Sequence, residues 1–282
     1  MILNIPEMMR IEITNICNEK CSFCPYEKMN RKKGRMESKL FESLVQQHSK
    51  VENAKILFPA TVGEPLLDNR FIEFVEYASN YYSNIATFSN GLLLNEQVAR
   101  ELLNAGLTDI TLTLHGLTEK NYCAITGGDA RQYNIVRNNI INFINVNCKR
   151  YKPAKVFLNI YTDLPRKEAE ADEIIKIAID GDVYVTINSM NKTHNWGGAV
   201  AKKTTFKREV GCARIYKQFG VLWDGTVVPC CIDYEGKYIY GNANQKELVD
   251  IFNDVPYHEL CQKEKNRLLS SNELCKVCDL DI

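Results

Sequence analysis

Six short runs rich in β-branched residues, at 10–14, 55–58, 84–88, 109–114, 155–161 and 182–187, alternate with stretches of helical periodicity such as FIEFVEYASNYY and QVARELLNAG. This alternation is what most narrows the fold. A strand followed by a helix and then another strand of the same sheet must run parallel to its predecessor, with the helix packed on the sheet. Six such units suit an α/β protein built as a partial (β/α)6 TIM-like barrel. The ends of the units agree: Leu102 and Leu103 give an apolar helical face, and Gly106 follows as a residue able to take a left-handed cap. A chain of 282 residues buries enough surface for such a core without disulfide staples.

Past Ile187 the pattern changes. The polar, turn-rich NSMNKTHNWGGAVAKKTT reads as a linker, and a smaller α+β module follows from Cys212. It starts as a hairpin, with strands within 216–223 and 226–232 about an Asp224-Gly225 turn, and continues into helices within 245–253 and 258–269. The expected division is a barrel over 1–187, a linker over 188–211 and a module over 212–282.

The charges balance at 35 basic and 35 acidic residues, which argues against a polycationic nucleic-acid binder, and 10% aromatic residues argue against disorder. The N-terminus MILNIPEMMRIEITN has no basic region leading into an apolar one, and no window approaches a membrane span. The expectation is a cytoplasmic protein with neither nucleic-acid nor membrane partners. In a reducing compartment, the 11 cysteines serve metal or redox chemistry more readily than disulfides.

Three of them form Cys17-x3-Cys21-x2-Cys24, directly after the first strand. Three thiolates on one loop can wrap one face of an iron–sulfur cube, and with no fourth cysteine until Cys123 one iron stays open to an exogenous ligand. A structural zinc loop would want a nearby fourth Cys or His. The loop, with Phe23 before its third cysteine, resembles the CxxxCxxC loop of the radical S-adenosylmethionine (SAM) superfamily. Val62-Gly63-Glu64-Pro65 after the second strand resembles that family's GGEP segment, with Val62 in place of the first glycine. Ser89-Asn90-Gly91 after the third strand and Thr113 near the end of the fourth resemble its further cofactor-binding elements. Each segment also has a plainer reading as a turn, a helix-entry loop or a strand residue. Their order along the C-terminal ends of successive strands is where barrel active sites form. The resemblance implies that Cys17, Cys21 and Cys24 hold a 4Fe-4S cluster. Phe23, Gly63, Glu64, Pro65, Ser89, Asn90, Gly91 and Thr113 would then contact SAM, with Glu64 in the segment that holds its amino group. It also implies one-electron cleavage of SAM to a 5′-deoxyadenosyl radical that abstracts a substrate hydrogen.

The second module carries Cys212-x12-Gly225-x4-Cys230 and then Cys275-x2-Cys278. A hairpin would bring Cys212 and Cys230 together, and the returning Cys-x2-Cys pair would close one four-thiolate site, a spacing shared by iron–sulfur and zinc centres. The pattern resembles the SPASM/twitch extension of radical SAM enzymes, in the shorter twitch form, since the further cysteines of a full SPASM domain are absent. That resemblance implies an auxiliary 4Fe-4S cluster on these four cysteines. Cys123, Cys148, Cys231 and Cys261 remain; buried small apolar side chains are their default role. Cys231 and Cys261 are also candidates for a hydrogen-atom donor, Cys231 for an alternative ligand too.

For substrate chemistry His115, after the fourth strand, is a candidate acid or base, and His194 lies in the linker; both also read as ordinary loop histidines. Tyr26 and the basic run Lys28, Arg31, Lys32, Lys33 and Arg35 read as a solvated loop or as contacts to a phosphate or an acidic electron donor. The resemblance implies an oxidoreductase acting on a small polar molecule (a sugar, nucleotide sugar or aminocyclitol). The auxiliary cluster would accept an electron and a flavodoxin- or ferredoxin-type protein would donate one. The alternatives are a radical epimerase with a cysteine hydrogen donor and a peptide-modifying maturase. The second is disfavoured by the short stretch before the first strand, which leaves no room for a peptide-binding winged helix.

Overall fold

The computed structural model describes residues 5–59, 61–189, 193–200, 211–271 and 274–279. Residues 190–192 and 201–210 of the expected linker lie outside them. The described strands are β1 (Met8–Ile11), β2 (Lys55–Phe58), β3 (Ile85–Ser89), β4 (Asp109–Leu114), β5 (Lys155–Tyr161), β6 (Tyr184–Asn188), β7 (Gln218–Val221), β8 (Thr226–Val228) and β9 (Gly241–Asn242). The helices are α1 (Ser38–His48), α2 (Phe71–Ser79), α3 (Glu96–Asn104), α4 (Glu119–Thr126), α5 (Ala130–Asn147), α6 (Arg166–Glu170), α7 (Glu173–Asp180), α8 (Arg214–Lys217), α9 (Leu248–Phe252) and α10 (Val255–Lys265). None of these helices is long and apolar enough to cross a membrane.

The chain divides into two compact units. One comprises Met1–Ile16, Phe23–Gly63 and His194–Ile282, the other Cys17–Ser22 and Glu64–Thr193. In the second unit β3, β4, β5 and β6 pair side by side, all parallel. Alternation fixes their faces: Ile110, Leu112, Leu114, Val156, Leu158 and Ile160 are buried, and Thr111, Thr113, Asn159 and Tyr161 stand half-exposed on the other face. Each of these buried Leu or Ile side chains contributes about 1.5–3 kcal/mol relative to solvent exposure. Over the sheet, α5 packs against α3, α4 and α7. The helix starts are written locally. Asn95, Thr118 and Asp172 cap α3, α4 and α7, and Asp129 with Gln132 forms a capping box on α5. The glycine stop after α3 is present too: Gly106 has φ +104°, and a Cβ there would lie 2.7 Å from Ser79 Cβ.

In the first unit β1 lies between β2 and β7, parallel to both, with Met8 opposite Lys55 on one side and Gln218 on the other. β7 turns through Gly225 (φ +85°) into antiparallel β8, and β9 pairs with β8. The hairpin expected to open a separate module thus sits in register beside the first strand. His48 of α1 is fully buried, its Nε2 3.0 Å from the Pro6 carbonyl and its ring edge-on to Phe219; burial lowers its pKa to about 4. It is therefore a neutral donor in the core, with Phe219, Phe252, Tyr240 and Tyr257 forming an aromatic cluster there.

Three strands have the expected bounds, while β1 runs Met8–Ile11 instead of 10–14. The ladder stops where Glu12 begins. Its side chain is completely buried and receives two N–H groups of Arg31 (2.9–3.0 Å), the Thr61 hydroxyl (2.7 Å) and the Trp223 backbone N–H (3.3 Å). A buried carboxylate is tolerable only with such partners.

Candidate functional site

The second unit holds Cys17 and Cys21 on a loop moulded by α4. The amides of Lys20 and Ser22, flanking Cys21, donate to the carbonyls of Thr126 and Ile125 in the last turn of that helix (2.9 and 2.8 Å). Helix ends leave such carbonyls unpaired, so the helix C-terminus is what fixes the loop. Gly127 closes α4 with φ +71°, its N–H on the carbonyl of Cys123. Tyr122 of α4 donates its hydroxyl to Glu19 Oε1 (2.7 Å). Glu19 Oε2 lies 3.2 Å from His115 Nδ1 and 3.5 Å from Cys21 Sγ, and His115 Nδ1 is 3.8 Å from the same sulfur. Burial, followed by the adjacent Glu19 charge, pushes the Tyr122 phenol far up, so it stays a donor.

Beside this lies the Glu64 group. The Glu64 carboxylate is buried and accepts from Ser89 Oγ (3.0 Å), the Asn90 N–H (2.8 Å) and the Leu66 N–H (3.1 Å). Burial raises its pKa from 4.5 to about 7, against those three donors and with Glu19 adding a little. The Asn90 amide also donates to Asn18 Oδ1 in the cysteine loop (2.7 Å), and Gly91 turns the chain at φ +78° with its N–H on Ser89 Oγ. Pro65 starts the short turn Pro65–Leu67, and Thr113 is half-buried on the polar face of β4. The arrangement brings Glu64, Ser89, Asn90 and the Cys17–Ser22 loop together around a buried carboxylate whose named donors are neutral, which a cationic amino group would complete.

The first unit carries the rest. Phe23 is half-buried, and Cys24 caps the 3-10 turn Pro25–Lys28; burial pushes its thiol up to about 11. Gly63 has φ +114°, and a Cβ there would lie 2.5 Å from the Thr14 carbonyl oxygen, so only glycine fits. Val62, the departure from the GGEP pattern, points into the core at 3% exposure. The basic run divides: Lys32, Lys33 and Arg35 are exposed, whereas Arg31 pairs with Glu12 and donates Nε to the Tyr234 carbonyl (2.6 Å), and Lys28 Nζ reaches the Ala199 carbonyl (2.8 Å). A carboxylate inside a strand-like run was the sequence signal for that buried pair; Glu19 stands two residues before Cys21 in the same loop, whereas nothing local signalled Tyr122 behind it.

In the same unit Cys212, Cys230, Cys275 and Cys278 line one cavity of about 30 Å³, completed by Arg214, Ile215, Pro229, Ile232 and Leu274. Burial and the neighbouring Cys231, Cys278 and Cys275 push the Cys230 thiol well above its ordinary pKa. Four cysteines gathered at one cavity can bind a cation together as thiolates, so the donor set fits an iron–sulfur cluster. Cys231 packs against Ile232, Leu274 and Cys278 without lining the cavity. Cys261 sits on α10 beside Tyr257, its carbonyl taking the Tyr216 hydroxyl. His194 lies 3.9 Å from Asp279, just past the Cys275–Cys278 pair.

Comparison with known proteins agrees with this donor chemistry. Residues 11–178 match the radical SAM superfamily, and residues 212–279 match SPASM, an iron–sulfur cluster-binding domain. A GTP 3′,8-cyclase of Alkaliphilus metalliredigens is 34% identical over 96% of this chain and 80% of its own. The S-adenosyl-L-methionine-dependent 2-deoxy-scyllo-inosamine dehydrogenase of Niallia circulans is 22% identical over 96% and 92%. Among solved structures, BtrN in complex with AdoMet and 2-DOIA aligns with TM-score 0.69 and 19% identity over 98% of this chain and 94% of that one. Streptococcus suis SuiB bound to its precursor peptide SuiA aligns with TM-score 0.71 and 17% identity over 99% and 72%. The chain is a radical SAM enzyme: it belongs to the radical SAM superfamily, uses SAM and 4Fe-4S chemistry, and carries a C-terminal SPASM-type iron–sulfur domain.

Proposed function

We propose that this enzyme is a radical SAM oxidoreductase that oxidises an alcohol of a small polar substrate, a sugar, nucleotide sugar or aminocyclitol. The observation that carries the reading is the meeting of Cys212, Cys230, Cys275 and Cys278 at one cavity, since a two-electron oxidation begun by hydrogen-atom removal needs an acceptor for the second electron. When bound, the cluster at Cys17, Cys21 and Cys24 with SAM supplies a hydrogen-abstracting 5′-deoxyadenosyl radical, and the auxiliary cluster supplies the electron acceptor. The Glu64 carboxylate, oriented by Ser89 and Asn90, would hold the SAM ammonium. Gly63 would keep the backbone close enough to Thr14 for that segment to lie flat. Phe23, Pro65, Gly91 and Thr113 would complete the contacts, and a flavodoxin- or ferredoxin-type donor would reduce the enzyme. The similarity to the inosamine dehydrogenase over nearly the whole of both chains supports an aminocyclitol as the first substrate to try. Barrel (1–187), linker (188–211) and cluster module (212–282) serve as the working division.

A second reading, redox-neutral cyclisation of a nucleoside triphosphate, is favoured by the 34% identity to the GTP 3′,8-cyclase. The test is anaerobic reconstitution followed by incubation with SAM, reductant and either a panel of aminocyclitols and sugar alcohols or GTP. Ketone formed in step with 5′-deoxyadenosine supports oxidation; a cyclised nucleotide overturns it. Iron content separates the two sites: about eight irons falling to about four in the Cys17/Cys21/Cys24→Ala variant is expected for two 4Fe-4S clusters.

A further inference from the structure

We propose that His115 is a positioning residue for the cluster: its imidazole, aligned by Glu19, presents an N–H to the Cys21 sulfur and thereby raises the reduction potential of the cluster that Cys21 helps to hold. The inference rests on the reading of Cys21 as a cluster ligand and adds a role that the sequence did not suggest for this histidine.

Three observations carry it. First, Glu19, Cys21 and His115 each place one ligating atom within 4.8 Å of the others, and Glu19 and His115 are buried at 5% and 7% exposure. Second, the orientation is held from behind: Glu19 Oε1 receives the Tyr122 hydroxyl at 2.7 Å, leaving Oε2 to face His115 Nδ1 at 3.2 Å, while the Tyr161 ring centroid lies 6.3 Å from that of the imidazole. Third, the amides of Lys20 and Ser22 on either side of Cys21 are bonded to Thr126 and Ile125. Both amides are thus committed to the fold, and a side-chain nitrogen is what faces the Cys21 sulfur.

The electrostatics give the sign. A ligating Cys21 has lost its thiol proton, so its thiolate and the Glu19 carboxylate would face each other at 3.5 Å. The Nδ1 position, 3.2 Å from one and 3.8 Å from the other, is where a single N–H relieves both. Hydrogen bonds to cluster sulfurs stabilise the more negative, reduced state and raise the potential. Removing this donor leaves the carboxylate beside the thiolate and makes reduction harder.

The test is an EPR-monitored redox titration of the SAM-free, reconstituted enzyme, following the signal that the Cys17/Cys21/Cys24→Ala variant lacks. His115→Leu is expected to lower the equilibrium constant for reduction about tenfold, which is about 59 mV for one electron. His115→Asn, whose amide nitrogen can stand where Nδ1 stands, is expected to restore most of that loss. An equilibrium constant for reduction within threefold of wild type in His115→Leu, at unchanged iron content, overturns the proposal. Should His115→Leu fail to fold or to hold iron, wild type labelled with 15N-histidine decides: a weak 15N hyperfine coupling to the reduced cluster is expected, and its absence overturns the proposal. If wild type and the triple variant carry the same iron and the same signal, the assignment of Cys21 as a ligand fails, a result distinct from an unchanged potential on an intact cluster.

Discussion

Around Cys21 the neighbours are Glu19, His115 and, one contact further, Tyr122, whereas the cavity at Cys212, Cys230, Cys275 and Cys278 is walled by Ile215, Pro229, Ile232 and Leu274 together with Arg214. The cysteines are common to both places and their surroundings differ. A polar surround suits a centre where a charged cofactor must bind and charge must change, because donors and carboxylates compensate it locally. A largely apolar surround suits a centre that only stores an electron, since desolvation keeps water and protons away. On the proposed reading, the difference suits the first site to the chemistry and the second to accepting an electron.

The strongest way to break that assignment is to remove the ligands of each site in turn. Replacing Cys17, Cys21 or Cys24 by Ala is expected to abolish SAM cleavage, measured as 5′-deoxyadenosine; normal formation in any of the three contradicts the catalytic role. Replacing Cys230 or Cys275 by Ala is expected to spare much of the SAM cleavage, lose about four irons and collapse product formation. Product made at the wild-type rate without those irons ends the electron-acceptor role.

Arg31→Met tests whether the first unit depends on its buried pair. Arg31 is 11% exposed and Glu12 fully buried. Stranding that carboxylate is expected to cost about 3–5 kcal/mol in denaturant unfolding, and most of it should return in the Arg31→Met/Glu12→Met double variant. A loss under about 1 kcal/mol means that Thr61 and Trp223 suffice to hold Glu12.

The gentlest probe is pH. With its folded pKa raised from 4.5 to about 7, Glu64 favours folding of the SAM-free protein most below pH 4.5, and that contribution is lost as pH rises through 7. SAM binding has the reverse sign, because the ammonium selects the carboxylate. Its Kd is expected to rise up to about tenfold per unit as pH falls below 7, and Glu64→Gln should flatten that slope. A flat profile in wild type would place the ammonium elsewhere.

Local chemistry in the sequence carried much of this. β2, β4 and β5 have the bounds that residue type and punctuation imply, because β-branched runs between capping residues encode a strand within a few neighbours. The cysteine spacings led to the four-thiol cavity for the same reason, as each pair is close in sequence. What the sequence did not display was long-range: β7 beside β1, Arg31 on Tyr234, and Tyr122 behind Glu19. Pairings across a hundred or more residues leave no periodic signature, and a buried arginine reads like a solvated one until its partner is seen.

The place of β7 beside β1 has a consequence for synthesis. Ile11 emerges early and its partner Val221 some two hundred residues later. At about 5–20 residues per second, one edge of the first strand waits on the order of 10–40 s for its neighbour. Throughout that interval it presents unpaired amides and carbonyls to whatever passes. Cys275 and Cys278 arrive later still. The nascent chain therefore meets this hazard of sticking before the last cysteines of the four-thiol cavity exist, which makes chaperone supply and growth temperature, before iron supply, the first variables to adjust when producing this enzyme.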